Sequence, residues 1–199
     1  MSRTLVHATL AAIITLSLSG CPGAARSYNY KAEPDPRKKE YVVGPSDVLN
    51  ISVWGHSDLT SSPRVRPDGT VTMPLAGDIK ASGKTANQVK ELIKKRLAAF
   101  ISTAKVTVAV TEVNSYRFTV SGNITRGGIF SPRRYITVSE GIAMAGGPNR
   151  FASPEKTTLI RTTKKGKVKR IPINYKAISK GQKLEQNIVI LRGDTIYVP

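Results

Sequence analysis

Short alternating strands around two clearly marked helices constrain the fold of this chain more than any other feature. Each helix is expected to begin with a capping box, in which a threonine and the residue three positions later bond to each other's backbone amides. The two boxes are Thr85 to Gln88 and Thr137 to Glu140. Between and beyond them, apolar and polar residues alternate with the period of a half-buried strand. The pattern predicts an α+β fold built from two small mixed α/β units.

The first unit is expected to span residues 40–113. The sequence predicts strands at 41–43 and 48–54, a hairpin over 63–78 turning at Asp68-Gly69, and a strand at 105–111. A helix of about four turns should follow Thr85, because apolar residues recur on one face from Val89 to Ile101.

The second unit is expected to span residues 114–199. The sequence predicts a strand at 116–120, a short helix ending at Gly146-Gly147, a hairpin that pairs 157–161 with 168–173, and strands at 188–191 and 195–198. No segment after the first 39 residues suggests disorder or low complexity.

Residues 1–20 predict an export signal. Arg3 supplies a positive charge, and Leu5 to Leu18 is apolar apart from small polar residues and His7. This run is shorter than the roughly 18–20 residues that span a bilayer. Leu18-Ser19-Gly20-Cys21 resembles the bacterial lipobox, whose cysteine is acylated once the signal is removed. An ordinary signal peptide with a cysteine near the cut is the alternative.

The cysteine and the residues after it support an anchored protein. Cys21 is the single cysteine of the chain, so no disulfide framework is expected and acylation would account for it. Residues 21–39 contain several prolines and charges but few apolar side chains beyond Tyr28 and Tyr30. Such a segment buries too little surface to fold alone, and we expect a flexible tether.

The strong positive charge narrows the classes of partner. The 199 residues carry a formal net charge of +18, which usually indicates nucleic acid. The export signal argues against nucleic acid and favours anionic glycans, lipid headgroups or peptidoglycan as partners. The densest basic run is Lys164, Lys165, Lys167, Lys169 and Arg170. It is either a solvated hairpin tip or an electropositive rim that contacts anionic glycan.

No arrangement of residues predicts catalysis, a metal site or a cofactor. Gly83-Lys84-Thr85 resembles the end of a P-loop, but five residues separate Gly77 from Gly83 where the motif requires four. His56 is the only histidine left after the signal, too few for a metal cluster, and it lies in a predicted loop. Asp68 and Asp78 are better explained as turn residues than as a glycosidase pair. We therefore expect a protein that is not an enzyme.

Trp54 is the only tryptophan of the chain. It ends the predicted strand 48–54. We expect it to pack in the core of the first unit, with stacking on a sugar as the alternative.

Ordered motifs in both units resemble the outer-membrane polysaccharide export family. In the first unit they are Gly44-Pro45-Ser46-Asp47, where the family usually has glycine in place of Ser46, then Arg66-Pro67-Asp68-Gly69 and Pro74-Leu75-Ala76-Gly77. In the second they are Gly122, Gly146-Gly147 and Gly193-Asp194, which resemble the soluble-ligand-binding β-grasp (SLBB) domain. The resemblance covers the chain from Cys21 to its end.

The resemblance implies a polysaccharide export sequence domain at 40–113 and a β-grasp-like SLBB domain at 114–199. It implies a lipoprotein of the outer membrane that faces the periplasm and forms a homo-oligomeric ring around an exported capsule or exopolysaccharide. Pro22 stands where lipoproteins retained in the inner membrane carry Asp, which favours the outer membrane.

The implied partners are an inner-membrane polysaccharide copolymerase and a separate outer-membrane β-barrel. Long members of the family continue into a pore-lining helix, and this chain resembles the short members, so we expect another protein to supply the pore. A structural lipoprotein that binds peptidoglycan or glycan without transport is the alternative.

Overall fold

The computed structural model describes residues 28–163 and 165–199. The predicted export signal, Cys21 and Lys164 lie outside the described residues. The rest forms two consecutive units, each with its own hydrophobic core, and the α+β prediction is confirmed. No helix within the described residues is long and apolar enough to cross a membrane.

The first unit is a pair of two-stranded sheets with one helix. Its elements are β1 Val48–Val53, β2 Thr70–Met73, β3 Gly77–Lys80, α1 Ala86–Leu97 and β4 Val106–Glu112. β1 pairs antiparallel with β4, and β2 pairs antiparallel with β3. The buried face of α1 consists of Val89, Ile93 and Leu97, so the strands and the helix share one core.

The first capping box is confirmed, and α1 is shorter than predicted. The Gln88 amide donates to Thr85 Oγ1 at 3.3 Å, and the Thr85 amide donates to Gln88 Oε1 at 3.0 Å. α1 ends at Leu97, and Phe100 is exposed rather than part of the apolar face. The periodicity continued past the last helical residue because the following loop also carries apolar residues.

Two other predictions in the first unit were wrong in detail. Residues 41–43 form no strand, because Val43 exchanges backbone hydrogen bonds with the loop before α1. The hairpin of two strands turns at Pro74–Ala76, between β2 and β3, rather than at Asp68-Gly69. Asp68-Gly69 instead forms a tight turn just before β2, closed by the Arg66 amide donating to the Thr70 carbonyl at 2.9 Å.

The second unit is a five-stranded mixed sheet. Its elements are β5 Phe118–Gly122, β6 Gly128–Phe130, α2 Val138–Met144, β7 Thr157–Thr162, β8 Val168–Ile173, α3 Tyr175–Ile178 and β9 Thr195–Val198. The strand order is β6-β5-β9-β7-β8, with β5 and β9 parallel and the other pairs antiparallel. Val138 and Ile142 of α2 are buried in its core.

The predicted hairpin of the second unit is confirmed, and three details differ. β7 and β8 pair antiparallel as predicted, and Leu159 lies opposite Ile171. The sequence missed β6 and α3, which are three and four residues long. Residues 188–191 form no strand, and only an isolated bridge joins Val189 to Thr137.

The flexible-tether prediction is wrong for residues 28–33, which pack against the second unit. Tyr28 and Tyr30 pack against the core of the second unit, and the Tyr30 hydroxyl donates to the Pro172 carbonyl at 2.6 Å. The Glu33 side chain is only 3% exposed. We call residues 28–33 the N-terminal strap. The strap docks because its two tyrosine rings pack against the core of the second unit and the Glu33 carboxylate forms ion pairs there.

Candidate functional site

Asp47 is completely buried where the two units meet. One carboxylate oxygen accepts hydrogen bonds from the backbone amides of Asn114 and Ser115 at 2.8 and 2.7 Å. The other accepts from the Gly44 amide at 2.8 Å and from the hydroxyls of Tyr41 and Ser115 at 2.8 and 2.9 Å. A buried carboxylate needs such partners, and here they come from both units. Asp47 therefore fixes the connection between them.

The turn that presents Asp47 depends on the backbone of its neighbours. A Cβ on Gly44 would lie 2.1 Å from Nη1 of Arg192, whose Nη2 donates to the Val42 carbonyl at 3.1 Å. Ser46 has φ of 74°, a left-handed conformation that costs a side chain roughly 1–2 kcal/mol. That conformation explains why glycine suits this position of the motif.

Asp194, from the closing motif, organises a second buried cluster. Its carboxylate accepts from Arg161 Nη2 at 2.6 Å, from Arg161 Nε at 3.0 Å and from the Leu191 amide at 2.7 Å. The Arg161 guanidinium also donates to the Val189 carbonyl at 2.8 Å and to Glu33 Oε2 at 2.7 Å. This cluster joins β7, the turn before β9 and the N-terminal strap.

Glu33 is the residue through which the strap enters that cluster. Its carboxylate also accepts hydrogen bonds from Lys169 and from the Tyr28 hydroxyl. Burial alone would raise the pKa of Glu33, but the bonds from Lys169 and Tyr28 and the charge of Arg161 lower it below its ordinary value. Glu33 is therefore ionised at neutral pH, and its charge is balanced by two cations.

The Arg66 motif forms an exposed cluster on the β2–β3 hairpin. Arg66 contacts Asp68 at 2.5 Å and Asp78 at 3.3 Å. Hydrogen bonds from the Thr70 hydroxyl and amide, together with Arg66, lower the pKa of Asp68 to about 2. Exposed ion pairs of this kind stabilise little. Asp68 thus makes the contacts of a turn residue. The same prediction is wrong for Asp78, which lies in β3 opposite Thr72.

The motif glycines lie where the chain reverses or is crowded. Gly122 has φ of 93°, and a Cβ there would lie 2.0 Å from the Val198 carbonyl oxygen, so this strand end accepts only glycine. Pro45 follows Gly44, and Pro74 opens the β2–β3 loop. The remaining motif glycines all have positive φ: Gly69, Gly77, Gly146, Gly147 and Gly193.

The basic hairpin divides into residues that serve the fold and residues that face solvent. Lys169 is half-buried, bonds to Glu33, and lies 5.1 Å from the centre of the Tyr28 ring. Lys165, Lys167 and Arg170 are exposed. Those three remain predicted glycan contacts, whereas Lys169 holds the strap.

The prediction that Trp54 packs in the core is wrong, because its side chain is 80% exposed. Ile51 and Val53 of β1 point into the core. Successive residues of a strand point to opposite faces, so Trp54 continues the outer face. Because apolar residues alternate at Ile51 and Val53, the sequence pattern could have predicted that Trp54 lies on the exposed face of the strand.

Of the residues weighed for chemistry, Asp68 and Asp78 both contact Arg66, which pairs with their charges. His56 lies in the loop after β1, as predicted, just before the turn Ser57–Leu59. Within the described ranges, no group of three or more His, Cys, Asp or Glu side chains could hold a metal ion.

The fold and its buried clusters define a two-domain α+β protein in which the sequence motifs build the scaffold. Residues 35–111 match the polysaccharide biosynthesis/export protein family, and residues 117–172 match the SLBB domain. The chain therefore carries a polysaccharide biosynthesis/export domain followed by an SLBB domain.

Named relatives align across both domains. The chain is 28% identical over 182 residues to the EPS I polysaccharide export outer membrane protein EpsA of Ralstonia nicotianae, covering 79% of this chain and 47% of EpsA. It is 28% identical over 171 residues to the capsule polysaccharide export outer membrane protein CtrA of Neisseria meningitidis, covering 75% and 42%. The exopolysaccharide production protein ExoF of Rhizobium meliloti is 27% identical over 125 residues, covering 57% and 30%. The chain spans less than half the length of each.

Proposed function

We propose that this protein is an outer-membrane component of a machine that exports capsule or exopolysaccharide. The observation that carries the proposal is the match of both consecutive domains, together with relatives named as outer-membrane export proteins. The names of these relatives give no support to a structural lipoprotein without transport. The role is geometric: the protein holds and guides the polymer, and no bond is made or broken.

The N-terminal strap supports a close attachment to the membrane. An acylated Cys21 would be held by its buried CH₂ groups, each contributing about 0.8 kcal/mol. Tyr28, the first residue that the structure describes, is docked and lies seven positions further on. Even fully extended, that interval spans about 25 Å at most. The second domain would therefore face the periplasm directly beneath the bilayer.

A ring of identical protomers is supported by the unequal ends of the five-stranded sheet. At one end, β6 is an edge strand whose Ile129 is 72% exposed. At the other end, β8 carries Pro172 and contacts the strap through Lys169. Unpaired edges invite pairing, and proline or covering segments block it. The β6 edge is thus the better candidate for contact between protomers.

Ile129→Lys should convert the oligomer to smaller species, because a charge on an edge strand opposes pairing. The measurement is the mass of the purified full chain in detergent at several concentrations. Val168→Lys, on the protected opposite edge, is the matched control and should keep the wild-type mass. A wild-type chain that remains monomeric at all concentrations would contradict the ring.

The proposed partners are an inner-membrane polysaccharide copolymerase and a separate β-barrel of the outer membrane.

Deletion of the gene should abolish surface polysaccharide, measured by whole-cell antibody or lectin binding. A wild-type copy should restore it, and a Cys21→Ala copy should not, because the unacylated chain lacks its anchor. Unchanged surface polymer in the deletion strain would remove the export proposal.

A further inference from the structure

The exposed indole of Trp54 lies in a surface groove of about 560 Å³ on the first domain. The groove is also lined by three lysines and two hydroxyl side chains: Lys90, Lys94, Lys105, Ser52 and Thr107. We propose that this groove binds pyranose units that carry carboxylates, so that the protein contacts an acidic glycan here. The inference deepens the proposed export function and rests on it.

The groove is built on rigid elements. The Trp54 amide donates to the Lys105 carbonyl at 2.9 Å, which extends the β1–β4 pairing by one step. Ser52 lies directly opposite Thr107 in that pairing. Residues two apart on a strand share a face, so Ser52 and Trp54 point the same way, beside Thr107 and Lys105. An aromatic face and two hydroxyls are therefore held side by side.

The charge of the groove is positive. Lys90 and Lys94 lie one turn apart on α1, on the same side of the helix. Both come near Glu91, at 3.7 and 3.6 Å, so one carboxylate partly offsets two ammonium groups. Lys105 is exposed on the opposite wall. Three lysines against one glutamate leave an excess of positive charge, which attracts a carboxylate.

This combination fits a glycan better than a protein partner. The flat face of an indole packs against the apolar C–H face of a pyranose, and the Ser52 and Thr107 hydroxyls can bond to sugar hydroxyls. Buried centres of protein interfaces are depleted of lysine, yet three lysines surround this tryptophan. A sugar that bears a carboxylate has an apolar C–H face for the indole, hydroxyls for Ser52 and Thr107, and a negative charge for the lysines.

Intrinsic fluorescence tests the groove directly, because Trp54 is the only tryptophan. Oligogalacturonate should shift or quench the emission of the purified full chain, while the same oligomer with methyl-esterified carboxylates should act much more weakly. Calorimetry on variants should show at least ~10-fold weaker binding for Trp54→Ala and about 3-fold weaker binding for Lys105→Gln. Trp54→Tyr should retain most of the affinity.

Two control variants separate the groove from general surface effects. Phe151→Ala removes an aromatic ring on the second domain that is 68% exposed and has Arg150 over its face. Lys180→Gln removes an exposed charge on the same domain. Both should bind like the wild type. If the control variants lose as much affinity as the groove variants, the binding reflects the general positive charge of the surface, and the proposal is overturned.

The outcomes distinguish this inference from the export function. Suppose that deletion of the gene abolishes surface polymer but the tryptophan emission does not respond to the acidic oligomer. The groove proposal is then overturned, and the export proposal stands. Trp54→Ala with unchanged glycan binding but a smaller oligomer assigns the groove to protomer contact and also overturns it. Normal surface polymer in the deletion strain removes the export function, even where the isolated groove binds.

Discussion

Asp47→Ala is expected to lower the free energy of unfolding by about 3–5 kcal/mol. The change removes the acceptor for three backbone amides, including those of Asn114 and Ser115, at a point that is completely buried. A buried donor without a partner costs about 1–3 kcal/mol. Because donors from both domains are affected, the unfolding of the two domains should also become less coupled.

Urea unfolding followed by circular dichroism measures this loss. Asp47→Asn is the milder variant if the alanine chain does not fold, since its amide group still offers one acceptor; about 1–3 kcal/mol should be lost. Asp58→Ala, an exposed carboxylate in the loop after β1, is the control and should change stability by less than about 0.5 kcal/mol. Wild-type stability of both Asp47 variants would contradict the role given to the motif.

Asp194→Ala should be comparably damaging, with a loss of about 3–5 kcal/mol. The Arg161 side chain is only 6% exposed, and removal of Asp194 leaves its charge with Glu33 as the remaining carboxylate partner. A buried charge that loses its partner is costly because it has already given up water. The Leu191 amide also loses its acceptor.

A second substitution tests whether the charge of Arg161 causes the loss of stability in Asp194→Ala. Arg161→Met in the Asp194→Ala background should recover part of the loss, because it removes the excess positive charge and leaves Lys169 paired with Glu33. Glu112→Gln, which breaks the exposed pair with Arg64 at 3.6 Å, is the control and should cost about 1 kcal/mol or less. The same urea titration measures all four chains. A double variant no more stable than Asp194→Ala would contradict the buried-charge explanation.

Features decided by neighbouring residues were predictable from the sequence. The capping box at Thr85, the pairing of β7 with β8 and the short helix after Thr137 depend on residues close together in the chain. β6 was missed because it has three residues and begins with a glycine. A strand of that length carries no detectable alternation, and β5 beside it decides its conformation.

Contacts between distant parts of the chain could not be predicted. Glu33 and Arg161 are separated by 128 positions, and nothing near Glu33 indicates that it will be buried. The composition of the strap suggested a solvated segment, because the guanidinium that compensates its carboxylate lies on another strand. The motif aspartates were identified as important by resemblance, but their roles in joining domains and in holding the strap emerged only from the packed structure.

The location of the polymer in a deletion strain tests the central claim most directly, since the family name covers both biosynthesis and export. Polymer would be quantified separately on the cell surface and inside the outer membrane, in the deletion strain and in the strain that carries a wild-type copy. An export component predicts that surface polymer disappears while polymer is still made and retained inside. Surface polymer at the wild-type level, or polymer missing from both compartments, would contradict the account.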